Sequence, residues 1–273
     1  MHNNYIELTI TTNDTALNDL LIGELSNLGF DGFEEQENGL LAFCPEADYQ
    51  AVAVEAILSA HPQLVYNSQV IVQQNWNALW ESNFSPIAVD DFVGVRASFH
   101  TPITDTEHEI VITPKMSFGT GHHATTYMMM LLMRDLDFKH RTVFDFGTGT
   151  GILAILAEKL GGINILAVDY DDWCIENATE NIATNNCHHI TIKKADTAAT
   201  EQPFDIVIAN INKNIILDNV ASIAKAAAQQ GYILLSGLLE EDEADILQAT
   251  QEQGLSHLKT ITRNNWIAIL LKH

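Results

Sequence analysis

Basic residues are absent from the first third of this 273-residue chain, in which no Lys or Arg precedes Arg96. Residues 1–95 hold 14 acidic residues, whereas the remainder holds 22 acidic and 13 basic residues, so the first third carries more than half of the net charge of −23. Because phosphate binding relies on clusters of Lys and Arg, this composition argues against direct nucleic-acid binding by the first third. The same field would attract a basic protein partner, although acidity can also serve solubility alone.

Cysteine and long apolar segments are also scarce. Cys44, Cys174 and Cys187 have no metal-ligand spacing, which favours reduced thiols in a cytoplasm over a disulfide framework. Apolar residues occur in short runs, far from the about 18 residues that span a bilayer, and the first ten residues do not resemble a secretory signal. We therefore expect a soluble, cytoplasmic protein with no membrane partner, and a monomer.

The first 72 residues show the periodicity of a small α+β domain. Strand-like alternation and helix-like spacing follow one another as a strand over 5–11, a helix over 14–28, two strand-like pieces around a turn at 37–39, a helix over 48–60 and a strand over 64–72. This β-α-β-β-α-β order is typical of a ferredoxin-like sandwich. We predict that residues 1–72 form this domain and that residues 73–86 form a linker helix, with Trp76 and Trp80 on one face.

From residue 87 to residue 273, strand-like runs alternate with helical runs. Such alternation predicts an α/β domain with a mainly parallel sheet and helices on both faces, as in Rossmann-like folds. A strand at 110–113 and a helix over 123–134 precede the alternation, and the helix after the fourth strand is predicted to end at Gln230.

A glycine loop follows the strand VFDFG and precedes the helix ILAILAEKLG. Gly147, Gly149 and Gly151 allow a tight turn that brings a ligand close to the helix N-terminus. A dinucleotide fingerprint needs its third glycine where Ile152 stands, so the spacing disfavours a dehydrogenase. Asp145 could answer a positively charged ligand group such as an α-amine, directly or through water. Loops of this kind also join strands to helices without binding a ligand.

The end of the next strand carries an acidic residue. Asp169 lies 22 residues beyond Gly147, near the separation at which a carboxylate meets ribose hydroxyls in nucleotide-binding βαβ units. The alternative is that Asp169 caps the following helix, a role that suits Asp171 or Asp172 better. We therefore predict a ribose contact for Asp169.

The fourth strand, FDIVIAN, ends in Asn210 at the sheet edge where open α/β sheets bind ligands. The Asn210 amide can accept a hydrogen bond from a substrate N–H group and donate one to a carboxylate. Methyltransferases that act on planar amides or base amino groups carry Asn-Pro-Pro-aromatic at this place, whereas Ile211 and Asn212 follow here. This departure favours an aliphatic amine as the acceptor.

The segment PKMSFGTGHHATT before the helix at 123 is rich in small and hydroxylated residues. Thr125 or Thr126 could reach the cofactor if this helix packs over it. The pair His122 and His123 suggests a metal, but no third ligand stands at a zinc-like spacing, so we predict no metal site.

The motifs FGTGHHATT, DFGTGTGILAI, AVDYD, VIANI and ILLSGLLEE, in this order, resemble the ribosomal protein L11 methyltransferase family, known as PrmA. The resemblance extends upstream through NWNALWESNFSPI. It implies S-adenosylmethionine as cofactor and a class I methyltransferase domain with a mainly parallel seven-stranded sheet. It also implies that the ferredoxin-like domain captures a basic ribosomal protein and swings on the linker helix. By motif position the implied cofactor contacts are Phe118, Gly119, Thr126, Gly147, Asp169 and Asn210, to which the loop chemistry adds Asp145, Gly149 and Gly151.

The resemblance further implies methyl transfer to amines of ribosomal protein L11, on lysine side chains, on the N-terminal α-amine, or on both. Lys115 and Ser117 stand where the family commonly has small residues, and NINKN follows the fourth strand where apolar residues are typical. These departures concern substrate recognition rather than cofactor binding.

Methyl transfer requires a neutral amine in line with the methyl group, so positioning is the main demand on the protein. Deprotonating a lysine at pH 7.5 costs about 4 kcal/mol, and an α-amine costs far less. We predict that Asn210 orients the amine, with no general base assigned, since water can take the proton. Three alternatives remain: a methyltransferase for another protein or small-molecule amine, a dehydrogenase, and a binding protein that keeps the pocket without catalysis.

Overall fold

The computed structural model describes residues 4–12, 15–36, 38–71, 85–113, 115 and 119–273. The chain divides into two compact units, residues 1–83 and residues 84–273. The predicted linker helix, with Trp76 and Trp80, falls almost entirely on residues 72–84, outside the described residues. None of the helices in the described ranges is long and apolar enough to cross a membrane.

The described part of the first unit has the predicted ferredoxin-like order. Its elements are β1 (Tyr5–Thr11), α1 (Thr15–Ser26), β2 (Gly32–Gln36), β3 (Gly39–Pro45), α2 (Ala51–Ser59) and β4 (Val65–Ile71). The strands form an antiparallel sheet in the order β2-β3-β1-β4. Leu8 and Ile10 of β1 pack with Leu21 and Leu25 of α1 and with Leu58 of α2. The alternation in β1 thus buries one face against both helices.

The second unit begins with a small sheet that the sequence prediction largely missed. Its strands β5 (Ile87–Val89), β6 (Val93–Ala97) and β7 (His108–Ile112) lie in that order, with β6 and β7 parallel. Only β7 was anticipated, at 110–113. The helix α3 (Ala124–Arg134) follows, with His123 as its N-cap.

Residues 119–273, described without a gap, contain the predicted seven-stranded sheet. The further elements are β8 (Thr142–Phe146), α4 (Ile152–Lys159), β9 (Ile163–Asp169), α5 (Asp172–Thr184), β10 (Ile190–Lys194), β11 (Phe204–Asn210), α6 (Lys213–Ala226), β12 (Ala227–Leu239), α7 (Glu243–Glu252), β13 (Ser256–Arg263) and β14 (Trp266–Lys272). The strand order is β10-β9-β8-β11-β12-β14-β13. The first five strands are parallel, and β14 runs antiparallel to both of its neighbours.

Two apolar layers cover the faces of this sheet. On β11, Ile206 and Ile208 belong to one layer and Val207 and Ala209 to the other. The first layer includes the side chains of α3 and α4, and the second includes those of α6 and α7. Burial on both faces explains why the sequences of these strands are continuous apolar runs. Since both faces are covered, a ligand can bind only beyond the ends of the strands.

The helix predicted to end at Gln230 ends at Ala226 instead, so that prediction was wrong by four residues. Residues from Ala227 onward belong to β12, where Ala227 is buried and pairs with Phe204. The Gln230 N–H group donates to the carbonyl of His273. Pairing with two distant strands here outweighs the helical propensity of Ala and Gln.

Candidate active site

A cavity of about 640 Å³ opens at the carboxyl ends of the parallel strands. It follows the edge of the sheet from Asp196, after β10, past the ends of β9, β8 and β11, to Trp266 at the start of β14. Trp266 reaches this edge because β14 is antiparallel to β12. Predicted site residues in the wall of this cavity are Gly147, Gly149, Asp169 and Asn210.

The glycine loop between β8 and α4 has a backbone that only glycine adopts readily. Gly147, Gly149 and Gly151 have φ values of 76°, 56° and 80°. A Cβ atom on Gly147 would collide with the side chain of Ile211 across the cavity wall. Gly151 is the N-cap of α4, and a Cβ atom there would come within 3.2 Å of the Ala178 Cβ atom. Gly147 and Gly149 therefore face the cavity, whereas Gly151 packs against α5.

Asp169 ends β9 and is 6% exposed. One carboxylate oxygen accepts the Gly149 N–H group at 2.9 Å, and the other accepts the Asp171 N–H group at 3.1 Å. The N-cap of α5 is Asp171, which accepts the Trp173 N–H group at 2.9 Å. The capping alternative for Asp169 is therefore wrong, and its carboxylate lies in the cavity wall beside the glycine loop.

Asp145 lies beneath the glycine loop, 1% exposed, and outside the described wall of the cavity. The Thr148 hydroxyl donates to its carboxylate at 2.6 Å. Burial is the main cause that raises the pKa of Asp145 to about 7; the hydrogen bond from Thr148 works against it, and the negative charge of Asp169 adds to it. In this geometry Asp145 cannot touch a ligand in the cavity directly. Of the two contacts considered for it, only the one through water is compatible with this position.

Asn210 meets α3 at the end of β11. Its amide nitrogen donates to the Thr126 hydroxyl at 3.3 Å, and Thr126 is fully buried in the first turn of α3. Thr125 contacts His123 instead, at 2.8 Å between its hydroxyl and Nδ1. The Asn210 side-chain oxygen is buried without a hydrogen-bond partner. Since unpaired buried oxygens are costly, this atom is suited to an N–H group of a ligand.

The two remaining predicted residues lie in the segment before α3. Phe118 is outside the described residues. Gly119, with φ 102°, accepts the Thr150 hydroxyl at 2.6 Å through its carbonyl, so it packs on the back of the glycine loop. A Cβ atom on Gly119 would lie 2.9 Å from the same hydroxyl.

Several cavity residues escaped the sequence prediction. The rings of His123 and Trp266 meet edge to face, with centroids 4.6 Å apart, and both line the cavity. Asp196 follows β10, so the strand-end argument used for Asp169 could have found it. Trp266 belongs to no local motif, and only the antiparallel insertion of β14 brings it here. Among the described residues, no group of three or more His, Cys, Asp or Glu side chains could hold a metal ion.

The sheet order, the glycine loop, the carboxylate of Asp169 and the amide of Asn210 define a Rossmann-like class I methyltransferase that uses S-adenosylmethionine. The residues fit this cofactor. The cavity offers the Asp169 carboxylate to the ribose hydroxyls and to a positively charged group, and the side-chain oxygen of Asn210 beside it has no partner.

Comparisons with known proteins specify the family. The model of the family described as Ribosomal protein L11 methyltransferase (PrmA) matches residues 5–273. The chain is 42% identical to a ribosomal protein L11 methyltransferase of Porphyromonas gingivalis, over 96% of this chain and 92% of the relative. It is 36% identical to one of Chlorobaculum tepidum, over 98% and 96%. A crystal structure of a ribosomal protein L11 methylase from Lactobacillus delbrueckii subsp. bulgaricus, 29% identical, superposes with a TM-score of 0.64 over 69% of this chain and 98% of that one.

This chain belongs to the ribosomal protein L11 methyltransferase (PrmA) family, which confirms the resemblance drawn from its motifs.

Proposed function

We propose that this chain transfers methyl groups from S-adenosylmethionine to amines of ribosomal protein L11, on lysine side chains, on the N-terminal α-amine, or on both. The observation that carries the proposal is the buried, unpaired side-chain oxygen of Asn210 in the cavity wall. The names of the family and of its relatives supply the substrate.

The part of the cavity over β8, β9 and β10 forms the cofactor side. Bound there, S-adenosylmethionine supplies a methyl group on a positively charged sulfur. Gly147 and Gly149 allow close backbone approach, and the Asp169 carboxylate, held by the Gly149 N–H group, has further acceptor sites that would bind the ribose hydroxyls. The Asp169 carboxylate also makes the local potential negative, which favours a cationic cofactor over a neutral one.

The part over β11, β12 and β14 forms the acceptor side, with Asn210, Gly237, His123 and Trp266 in its wall. The Asn210 oxygen accepts an N–H bond of a neutral amine and so aims the nitrogen lone pair. The aromatic wall removes water from the amine, and desolvation lowers the pKa of a lysine. The nitrogen lone pair would form the new bond to the methyl carbon as the carbon–sulfur bond breaks, and the bonding electrons would stay on the sulfur of the departing neutral thioether. The methylated ammonium would then lose its proton to water, so positioning accounts for the catalysis.

The charge of the first unit supports a basic substrate. Asp31, Glu34 and Glu35 are exposed on and beside β2, and no Lys or Arg stands anywhere in residues 1–95 to neutralise them. We take this unit to be the domain that recognises the ribosomal protein, with residues 1–72 as its extent and 73–86 as the linker. A ribosomal substrate supports a cytoplasmic location, and we expect a monomer.

The test incubates the protein and labelled S-adenosylmethionine with purified ribosomal protein L11, with other ribosomal proteins, and with a small-molecule pool. Mass spectrometry should place the label on lysine or α-amino nitrogens of ribosomal protein L11. Label confined to other proteins, small molecules or nucleic acid would overturn the substrate. Strong binding of NADH without binding of S-adenosylmethionine would overturn the cofactor.

A further inference from the structure

Three asparagines stand in one row on α5 and its C-cap residue, Asn185. Asn177, Asn181 and Asn185 are spaced by four residues and therefore share one helix face. They point at the end of β7, which lies at the edge of the small sheet. Side-chain amides thus stand where a neighbouring strand would otherwise pair.

The hydrogen bonds of the row follow the pattern of a strand. Asn185 accepts the Val111 N–H group at 3.0 Å and donates to the Val111 carbonyl at 2.6 Å. Two residues on, Asn181 accepts the Thr113 N–H group at 2.7 Å and Asn177 donates to the Thr113 carbonyl at 3.0 Å. The spacings match, because four helical residues rise about 6 Å and two strand residues about 6.6 Å.

Asn181 differs from Asn177 and Asn185 because its side chain also contacts the glycine loop. Its amide nitrogen donates to the carbonyl of Thr150 at 2.8 Å, in the middle of the glycine loop, and the side chain is fully buried. The Thr150 hydroxyl donates in turn to the Gly119 carbonyl. Asn181 therefore links the glycine loop to Thr113, which follows β7. The Thr150 hydroxyl links the same loop to Gly119, which precedes α3.

We infer that Asn181 is a positioning residue for the cofactor, because it fixes the glycine loop from the side opposite the cavity. A loop with three glycines at positive φ loses much backbone entropy on ordering, so a loop that is ordered beforehand binds its ligand more tightly. This inference rests on the cofactor side as proposed above, since Asn181 acts through Thr150 and Gly149 rather than by touching the ligand.

Lys115, which departs from the family pattern, lies close to Asn181. Lys115 forms an ion pair with Glu180, the neighbour of Asn181, and Glu180 also accepts the Thr113 hydroxyl at 3.1 Å. Both charged side chains are more than 40% exposed, so this pair should contribute little. It serves as a surface control for the buried contact.

The experiment compares Asn181→Ala with Asn185→Ala, which removes two similar bonds to β7 but none to the glycine loop. Calorimetric affinity for S-adenosylmethionine should fall about tenfold in Asn181→Ala, as expected for one lost buried hydrogen bond, and stay within about twofold in Asn185→Ala and Lys115→Ala. Hydrogen exchange of the amides in residues 147–151 should accelerate only in Asn181→Ala. Unchanged affinity in Asn181→Ala, or an equal loss in Asn185→Ala, would overturn the inference.

Asn181→Asp keeps the acceptor for Thr113 and, when ionised, replaces the donor to Thr150 by a negative charge that faces the Thr150 carbonyl. It covers the case in which Asn181→Ala fails to fold. Relative to wild type at each pH, its affinity should be weak at pH 8 and recover toward pH 5, as the protonated carboxyl donates again. A constant ratio to wild type across this range would count against the inference. Failure of the wild-type protein to bind S-adenosylmethionine would instead refute the proposed function.

Discussion

The cofactor side and the acceptor side of the cavity are built in opposite ways. On the cofactor side, Gly149 and Asp169 already bond to each other, and the loop behind them is fixed by Asn181. On the acceptor side, the Asn210 oxygen is buried without a partner, and Trp266 arrives from a strand that ends the chain. The first region is ordered before the ligand binds, whereas the second has a buried polar atom without a partner among the protein's own groups. The difference predicts that substitutions on the two sides will affect different steps.

The largest expected effect is on the cofactor side. Asp169→Ala should weaken binding of S-adenosylmethionine about a hundredfold or more, because two charge-assisted hydrogen bonds to ribose are worth roughly 1.5 to 3 kcal/mol each. Isothermal titration calorimetry measures this affinity. Asp172→Ala is the control, since Asp172 is exposed and pairs with Lys194 on the surface. Unchanged affinity in Asp169→Ala would remove the ribose assignment.

On the acceptor side, Asn210→Ala should lower kcat about a hundredfold, similar to the loss of one transition-state hydrogen-bond donor in other enzymes. Its affinity for S-adenosylmethionine should change much less than in Asp169→Ala. Single-turnover methylation of ribosomal protein L11, with cofactor affinity measured in parallel, separates an effect on methyl transfer from an effect on cofactor binding. A loss of affinity as large as that of Asp169→Ala would erase the distinction between the two sides.

Asp145, beneath the glycine loop on the cofactor side, should affect stability rather than cofactor binding or methyl transfer. Its folded-state pKa of about 7 lies above the ordinary 3.8, so the folded state holds this proton more tightly and the contribution of Asp145 to stability falls as pH rises from about 4 to 7. Asp145→Asn has no such proton. It should therefore unfold roughly 10 °C above wild type at pH 8, because a pKa raised from 3.8 to about 7 is worth about 4 kcal/mol and each kcal/mol shifts the unfolding temperature by about 2–4 °C. Near pH 4 it should match wild type.

Thermal unfolding without cofactor across this pH range measures the difference. If the unfolding temperature of Asp145→Asn exceeds that of wild type by more at pH 4 than at pH 8, the carboxylate stabilises the fold in its ionised form, which would contradict this prediction.

The two sides also differ in how far the sequence predicts them. Asp169 follows the glycine loop by one helix and one strand, so local spacing predicts that they meet. The fold class followed from the alternation of strands and helices for the same reason. By contrast, Trp266 meets His123 across more than half of the second unit, and no local pattern indicates that β14 inserts antiparallel beside β12.

The errors have related causes. Residues 227–230 have the composition of a helix, but pairing of Ala227 with Phe204 and of Gln230 with His273 makes them part of β12. The row of asparagines on α5 reads in sequence as an ordinary polar helix face. Its role depends on Val111, Thr113 and Thr150, whose positions only the tertiary structure provides.

The most direct test of the two-sided cavity is a crystal structure of this protein with S-adenosylmethionine. We expect the Asp169 carboxylate to bind both ribose hydroxyls and the methyl group to point over β11 toward the Asn210 oxygen. A cofactor whose ribose lies away from Asp169, or whose methyl group points away from Asn210, would contradict this expectation.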